Sequence, residues 1–301
     1  MRLEEFAEKV LKGVKEKAGE TLKVRIVSEK KNNGVTLTGI TASRPESSGG
    51  ACIYLENYYE GYCDGRITLD WVAEDVYDKL MEHCNDLDGM DMRVLWDWEA
   101  AKPNIRAKLV NREMNREFLK KVPHREFLDL AVIYYVTLDG LSEIGTTAFT
   151  VSDKNMEVWG KDENALYQMA VSNMRLDGKP VFEDMEEIIR SIMPEEIPDF
   201  AVGIPKFRSY VLTNPQKVFG AVELLDGITL KKISDELEGD FIVLPSSLHE
   251  SIIIPADGSV SYQELADTVI EINRNEVSIV ERLSDHVYLY EREEGVLRIA
   301  A

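Results

Sequence analysis

The sequence predicts an α+β protein with two domains, each a mainly antiparallel sheet with packed helices. Amphipathic helical segments alternate with strand-like runs, and hairpin signals are frequent. The regular strand–helix–strand alternation of parallel α/β proteins is absent. We expect an N-terminal domain over residues 1–155 and an acidic C-terminal domain over residues 156–301.

The N-terminal domain is predicted to begin with a helix followed by a hairpin. Residues 3–18 place Leu3, Phe6 and Val10 on one apolar stripe, the spacing of an amphipathic helix. The next segment alternates apolar and polar residues on both sides of Asn33-Gly34. This dipeptide supplies the positive φ that a tight hairpin turn requires. A short strand and a short aromatic helix follow, and Thr68 then begins another helix.

The rest of this domain is predicted to form strands around one buried strand. Residues 104–111 indicate a strand and residues 113–121 a short helix. Residues 127–138, FLDLAVIYYVTL, are almost continuously apolar, which is typical of a strand buried on both faces. We expect residues 145–151 to pair with it.

The C-terminal domain is predicted to mix helices with short strands. The helices are expected near 162–173, 183–193 and 229–238, with a further helix that begins at a capping box formed by Ser261 and Glu264. The expected strands lie near 208–213, 217–223, 241–244, 251–254 and 286–290. A Pro-rich loop over 194–205 and a polar loop over 43–50 should be open to proteases.

Composition predicts a cytoplasmic protein without a membrane segment. No apolar run approaches the ~18 residues that a membrane helix needs, and the N-terminus lacks the apolar core of a signal peptide. The three cysteines, Cys52, Cys63 and Cys84, are an odd number without metal-site spacing. They predict a reducing compartment and no intrachain disulfide.

Charge disfavours nucleic acid as a partner. Residues 1–155 hold 22 Lys and Arg against 27 Asp and Glu, and residues 156–301 hold 13 against 28, so the formal charges are −5 and −15. One basic patch stands out: Lys102, Arg106, Lys108, Arg112, Arg116, Lys120, Lys121 and Arg125. It could bind RNA or an acidic partner, but a solvated surface is the commoner meaning of such a run.

Five segments of the sequence together form a recognisable set: KNNGVTLTG (31–39), VPHREFLDLAVIYY (122–135), YVLTN (210–214), LPSSLHE (244–250) and SDHVYLY (284–290). In these segments the chain resembles a domain-of-unknown-function family, family 5688, of anaerobic Gram-positive gut bacteria. The resemblance covers nearly the whole chain and implies no activity or catalytic residue. The segment IYLENYYEGY, the helix around Ala170–Asn173 and the LPSS strand are also similar to a second uncharacterised bacterial family.

Three histidines are candidate metal ligands. His124 is followed by Glu126, His249 by Glu250, and His286 follows Asp285, each at a predicted loop–strand junction. These side chains are ligand types that Zn²⁺ or Fe²⁺ accepts. No HExxH or HxH spacing accompanies them, so we favour histidines that bond to local backbone groups over a metal site. We therefore predict no cofactor.

A serine nucleophile is the other chemical hypothesis. Ser246 or Ser247 would be activated by His249 or His286 and oriented by Asp285. The GxSxG motif and a nearby Gly-rich oxyanion segment are both missing. We favour a hairpin corner for LPSSLHE, because Pro and Ser commonly form turns.

The sequence thus favours a non-enzymatic module that binds a protein partner. The alternative is a metal-dependent or Ser/His hydrolase that uses the junctions at His124, His249 and His286. The two classes of protein predict different spatial arrangements of these residues. An enzyme needs these histidines to converge on a pocket, whereas a binding module needs a recognition surface.

Overall fold

The computed structural model describes residues 1–46, 50–88, 90–138, 148–192, 208–245, 247–258 and 260–301. It confirms the α+β class, because helices accompany sheets whose strand pairs are antiparallel throughout the described residues. The chain forms two compact units, Met1–Asp91 and Met92–Ala301. This division differs from the boundary at residue 155 expected from the sequence. Whether the segments on either side of residue 155 fold independently stays a prediction.

The first unit is a three-stranded sheet packed against helices. Its elements are α1 (Leu3–Ala18), β1 (Lys23–Lys30), β2 (Thr36–Ser43), β3 (Ala51–Tyr54), α2 (Glu56–Cys63) and α3 (Leu69–Asp88). The strand order is β1-β2-β3. The predicted stripe of α1 is buried, and Phe6, Val10 and Val14 share a core with Val76 and Leu80 of α3.

The predicted hairpin is confirmed, with a longer connection than a two-residue turn. Lys30 of β1 pairs with Thr36 of β2, and a short 3-10 turn at Asn32–Gly34 joins them. Asn33 has φ 57° and Gly34 has φ 72°. The Asn-Gly dipeptide therefore supplies positive φ where the chain reverses, as expected.

The second unit contains two sheets. The first is built from β4 (Ile105–Asn111), β5 (His124–Phe127), β6 (Leu130–Thr137) and β7 (Ala148–Thr150), all of which pair through β6. Every residue of β6 is buried, as the apolar run predicts. The run does not form one strand over 127–138, because Leu128 takes a left-handed φ of 55° and turns the chain between β5 and β6.

The second sheet of this unit has the strand order β13-β12-β10-β11-β9-β8. Its strands are β8 (Val181–Asp184), β9 (Tyr210–Thr213), β10 (Phe241–Leu244), β11 (Ser251–Pro255), β12 (Tyr288–Glu291) and β13 (Val296–Ile299). The strands β10 and β11 pair antiparallel on either side of residues 245–250. The prediction that LPSSLHE connects two core strands is therefore confirmed.

Helices complete the second unit. They are α4 (Trp98–Ala101), α5 (Arg116–Leu119), α6 (Asp153–Trp159), α7 (Glu163–Leu176), α8 (Met185–Ile192), α9 (Gly227–Glu236) and α10 (Tyr262–Asn275). Ser261 is the N-cap residue of α10, but its side chain makes no capping hydrogen bond, so the expected capping box is not formed. A capping box occurs instead at α6, between Ser152 and Asn155.

One expected strand is wrong. Residues 217–223 were expected to be extended, but Gly220–Leu225 forms a 3-10 helix. Lys217 and Phe219 have φ angles of 54° and 55°, in the left-handed region, which a β-strand cannot contain. The Pro-rich loop at 194–205 lies outside the described residues, as do residues 47–49 of the polar loop.

One core joins the two sheets of the second unit to α7. It contains Leu109, Tyr134, Leu166, Tyr210, Phe241 and Tyr288 among its buried residues. Buried polar groups hold its parts in register. The Asn173 amide of α7 donates to the carbonyls of Lys102 and Ile105, at 2.8 and 2.9 Å. The Asp129 carboxylate accepts from Tyr288 Oη at 2.5 Å and from Ser284 Oγ at 2.7 Å.

We predict that Tyr288→Phe destabilises the protein by about 1–3 kcal/mol, because Asp129 loses a hydrogen bond that it makes to a fully buried hydroxyl. Urea denaturation followed by circular dichroism measures the change. Tyr262→Phe is the matched control, since Tyr262 is 37% exposed. Equal stability of the two variants would contradict the structural role of this bond.

Candidate functional site

A narrow cleft in the second unit is the candidate site. Its enclosed space is about 20 Å³, room for about one water-sized group, and the volume that includes its opening to solvent is about 420 Å³. Its polar lining residues are Arg106, Tyr135, Asp177, Asn214, Gln216 and Glu223. Its apolar lining residues are Ala107, Ala170, Val171, Met174, Val222 and Leu225. We call it the Glu223 cleft. It is formed by β4, β6, the C-terminal end of α7 and the connection from β9 to α9.

The connection from β9 to α9 places Glu223 by a tight turn. Asn214 bridges this turn, since its side chain accepts from Val218 N–H at 3.1 Å and donates to the Val218 carbonyl at 2.8 Å. At Gly220 a Cβ atom would lie 2.0 Å from Thr213 Oγ1 and 2.5 Å from the His249 carbonyl oxygen. Only glycine fits there, and the 3-10 helix that carries Glu223 begins at this residue.

The ring of Phe219 is held on several sides. It stacks on the His249 ring at a centroid distance of 5.6 Å and meets the Tyr135 ring edge-on, also at 5.6 Å. Lys108 Nζ lies 4.3 Å from its centroid. These contacts stabilise a left-handed non-glycine residue, a conformation that costs energy on its own.

The charged side chains described around the cleft form ion pairs, with the exception of Glu223. Arg106 binds Asp177 with two hydrogen bonds, of 2.5 and 2.7 Å, and Arg175 binds Asp226 at 2.8 Å. Glu223 is 3% exposed. No hydrogen bond joins its carboxyl group to another residue in the part of the chain that the structure describes.

This isolation raises the pKa of Glu223 to about 7. Burial is the main cause, because it removes water from the charged form, and the nearby negative charges of Asp226 and Asp177 add to it. Burial also opposes the ionisation of Asp226, but hydrogen bonds from Arg175, Thr229 and the Ile228 N–H lower its pKa overall. Glu223 is thus the carboxyl of this group that exchanges a proton near neutral pH.

The lining of the cleft limits the chemistry that it can take part in. Its described lining contains no Ser, Thr, Cys, His or Lys, so the carboxyl groups of Glu223 and Asp177 and the Tyr135 hydroxyl are its reactive groups. Burial raises the pKa of Tyr135 to about 12, so its hydroxyl remains protonated at neutral pH. What the cleft offers is apolar walls, two amide side chains and one carboxyl without a partner.

The three histidines each bind a backbone group. His124 Nδ1 lies 3.0 Å from the Val122 carbonyl oxygen, and His286 Nδ1 lies 3.0 Å from that of Ala301. His249 Nδ1 accepts from the Phe219 N–H at 3.3 Å, and its Nε2 lies 3.9 Å from Glu281. Backbone bonding, which the sequence favoured, is therefore present at each ring, but only the partner of His124 is local, since the partners of His249 and His286 lie 30 and 15 residues away in the chain.

Ser247 and Asp285, the candidate nucleophile and acid that the structure describes, both form hydrogen bonds. Ser247 Oγ accepts from the His249 N–H at 3.0 Å, and the Asp285 carboxylate accepts from the Asn273 amide at 2.7 Å. Among the described residues no hydrogen bond joins Ser247 Oγ to an imidazole nitrogen. Ser246 lies outside the described residues.

The metal hypothesis finds no ligand cluster. Within the described ranges, no group of three or more His, Cys, Asp or Glu side chains could hold a metal ion. Glu250 next to His249 makes no such group. That the purified protein contains no bound transition metal stays a prediction, and elemental analysis can check it.

The basic patch is largely paired with carboxylates. Six of its eight members form ion pairs: Lys102 with Glu99, Arg106 with Asp177, Arg112 with Glu126, Arg116 with Glu113, Lys120 with Glu117, and Arg125 with Glu163. A second, more open pocket lies among Arg112, Arg116, Lys120 and His124. Because carboxylates neutralise its rim, it is a weaker candidate than the Glu223 cleft.

Sequence reasoning missed Glu223, Asp177 and Asp226. The segment around Glu223 reads as an apolar run, VFGAVELL, so a strand was expected there. A single glutamate within an apolar run was the available signal, because such a residue is either exposed or buried with a shifted pKa. Arg106 was noted, but only as one member of the basic patch.

The chain belongs to the family of unknown function DUF5688, whose sequence profile matches residues 3–292. The resemblance noted from the sequence is thereby confirmed. No curated protein and no solved structure matched the chain. None of the helices in the described parts of the chain is long and apolar enough to cross a membrane.

We predict that Glu223→Gln changes how stability depends on pH. The raised pKa means that the folded protein holds the proton of Glu223 more tightly than the unfolded chain does. Its contribution is present below the unfolded pKa of 4.5 and is lost as pH rises through about 7. The free energy of unfolding should therefore fall by about 3 kcal/mol more in the wild type than in Glu223→Gln between pH 4.5 and 8.

Urea denaturation at several pH values gives these free energies. Glu264→Gln is the control, because Glu264 is exposed on α10. It should follow the wild-type profile. Parallel pH profiles for the wild type and Glu223→Gln would show that Glu223 does not titrate near neutral pH.

We also predict that Gly220→Ala lowers the free energy of unfolding by about 1–3 kcal/mol, since the added methyl group overlaps Thr213 and the His249 carbonyl. Gly227→Ala is the matched control: a Cβ at Gly227 meets nothing within 4 Å. This control should be neutral or stabilising, because alanine favours helices. If both variants unfold at the same urea concentration, the turn is not constrained as described.

Proposed function

We propose that this protein is a non-enzymatic module that binds a protein partner, and that the Glu223 cleft receives one side chain of that partner. The observation that carries the proposal is the carboxyl group of Glu223, 3% exposed, without a hydrogen-bond partner among the described residues and lining a cleft. A buried polar group without a partner costs free energy, and such groups concentrate at functional sites.

Apolar side chains beside the cleft support a macromolecular partner. Leu176 is 79% exposed and Ile228 is 51% exposed. Leu176 lies between Arg175 and Asp177, and Ile228 follows Asp226 by two residues, so both adjoin the ion pairs of the cleft. Exposed aliphatic side chains around a pocket are typical of a surface that a partner covers.

Charge supports the choice of protein over nucleic acid. Residues 156–301 carry a formal charge of −15, from 13 Lys and Arg against 28 Asp and Glu, and they would repel phosphate groups. The ion pairs of the basic patch weaken the one region that could attract RNA. The cytoplasmic location expected from the cysteines is part of the same proposal.

The hydrolase is the second candidate, and its support is narrower. Ser247 lies two residues before His249 in sequence, and Glu281 lies 3.9 Å from His249 Nε2. Both His249 Nδ1 and Ser247 Oγ accept from backbone N–H groups, which suits a structural corner. About one bound transition metal, lost in His249→Ala or His286→Ala, would favour the hydrolase over the binding module.

Methyl-labelled protein tests the binding module by NMR. We would titrate it with a fragment panel of amines, carboxylates, amides and sugars. At least one class should shift the methyl signals of Val171, Met174, Val222 and Leu225 and leave those of Val10 and Leu80 in the first unit unchanged. This result is expected because the cleft offers apolar walls next to an unpaired carboxyl.

A blocked variant identifies the cleft as the binding site. Val171→Phe fills the cleft from its α7 wall and should abolish the shifts. Val158→Phe is the matched control, because Val158 is 59% exposed on α6 and does not line the cleft. A panel that never shifts the cleft methyls of folded wild-type protein would overturn the proposed function.

A further inference from the structure

We infer that the side chain received by the Glu223 cleft is a lysine, recognised as a primary ammonium group on an aliphatic stem. This inference rests on the proposed function and adds the chemistry of the ligand. Three features of the cleft support it: the balance of charge around it, the apolar character of its walls and the small size of its enclosed space.

The charges around the cleft favour a ligand with one positive charge. Arg106 neutralises Asp177, and Arg175 neutralises Asp226. Glu223 is left without a counter-charge. A ligand with one positive charge would balance Glu223 in its ionised form, whereas an anionic ligand would add to the charges of Asp177 and Asp226.

The apolar walls favour a ligand that carries a hydrocarbon stem next to its charged group. Ala107, Ala170, Val171, Met174, Val222 and Leu225 supply apolar surface along the cleft. A lysine side chain carries four methylene groups, which bury against such surface while the ammonium group reaches a carboxylate. A small inorganic cation would leave these walls without contacts, and it would have a single carboxylate as its charged ligand.

The small enclosed space favours an ammonium over a guanidinium. It measures about 20 Å³, room for about one water-sized group. An ammonium is a compact group with three donors, whereas a guanidinium is a planar fork with five. The ammonium therefore fits beside Glu223, and the larger guanidinium does not.

The same geometry couples binding to a proton. The groups that face Glu223 are Asp177, Asp226, Arg106 and Tyr135, and Arg175 holds Asp226 from α7. Burial raises the pKa of Glu223 to about 7. A bound ammonium would favour the ionised form of Glu223 and release its proton, so affinity should increase as pH rises toward 7 and level off above it.

The experiment is a titration of methyl-labelled protein with Nα-acetyl-lysine methylamide. We expect shifts of the Val171, Met174, Val222 and Leu225 methyl signals. The apparent affinity should rise roughly tenfold between pH 5.5 and 6.5, because one proton is released on binding. Glu223→Gln should weaken binding at pH 7.5 at least tenfold and remove the pH dependence, whereas Glu264→Gln should do neither.

Matched ligands separate the sources of the ammonium group. The Nε-acetylated derivative has the same stem without the charge and should not bind. Nα-acetyl-arginine methylamide should bind more weakly than the lysine derivative. Binding of n-butylamine that equals or exceeds that of the lysine derivative would overturn the assignment to a partner's lysine, and would point to a free alkylamine.

The outcomes also separate this inference from the proposed function. Shifts of the cleft methyls by a carboxylate, amide or sugar, with none by the lysine derivative, would sink the lysine assignment and leave the binding module standing. Equal binding of the lysine derivative to the wild type and Glu223→Gln would likewise overturn the role of Glu223. Circular dichroism of each variant establishes that it is folded.

Discussion

The close approach of Gly220 to Thr213 and to the His249 carbonyl is the constraint on which the cleft depends. It brings the connection after β9 against the end of the loop between β10 and β11, so two segments about 30 residues apart share one packed corner. The left-handed Phe219 directs the chain into the 3-10 helix, and that helix carries Glu223 into the unit. Without this turn the segment would be free to extend, as its apolar composition suggests.

Ion pairing around the cleft explains why a single carboxyl stands out. The two arginines on its border are already committed to Asp177 and Asp226, and Arg106 also donates to the carbonyls of Pro103 and Ile105. Neither can turn toward Glu223 without leaving a buried acid behind, which costs more than the new contact returns. The acid thus stays without a partner because its neighbours are satisfied.

Much of the fold could be predicted from local patterns. The stripe of α1, the Asn33-Gly34 hairpin and the buried strand β6 follow from periodicity and turn chemistry, and all three are present. The strand expected at 217–223 failed because Lys217 and Phe219 are left-handed. Phe219 is held in place by contacts with His249 and Tyr135, which periodicity cannot reveal. The candidate site failed for the same reason: Arg106 looked like surface charge until the fold brought Asp177, 71 residues later in the chain, against it.

Hydrogen bonds from buried polar groups hold the rest of the second unit together, although Trp159 Nε1, Ser251 Oγ and Asn273 Oδ1 also lack a hydrogen-bond partner among the described residues. Asn173 makes two backbone bonds at the base of α7, and Asp129 binds two hydroxyls between the sheets. These bonds hold β4, α7 and the second sheet in place, so the walls of the cleft do not depend on Glu223 for their position. Walls that are held in place around one unsatisfied group favour recognition, because little binding energy is then lost in ordering the site. Protonation removes the cost of burying the charged form of Glu223, which is why its pKa is raised to about 7. Under the proposal, a ligand of opposite charge would offset the same cost and favour the ionised carboxylate.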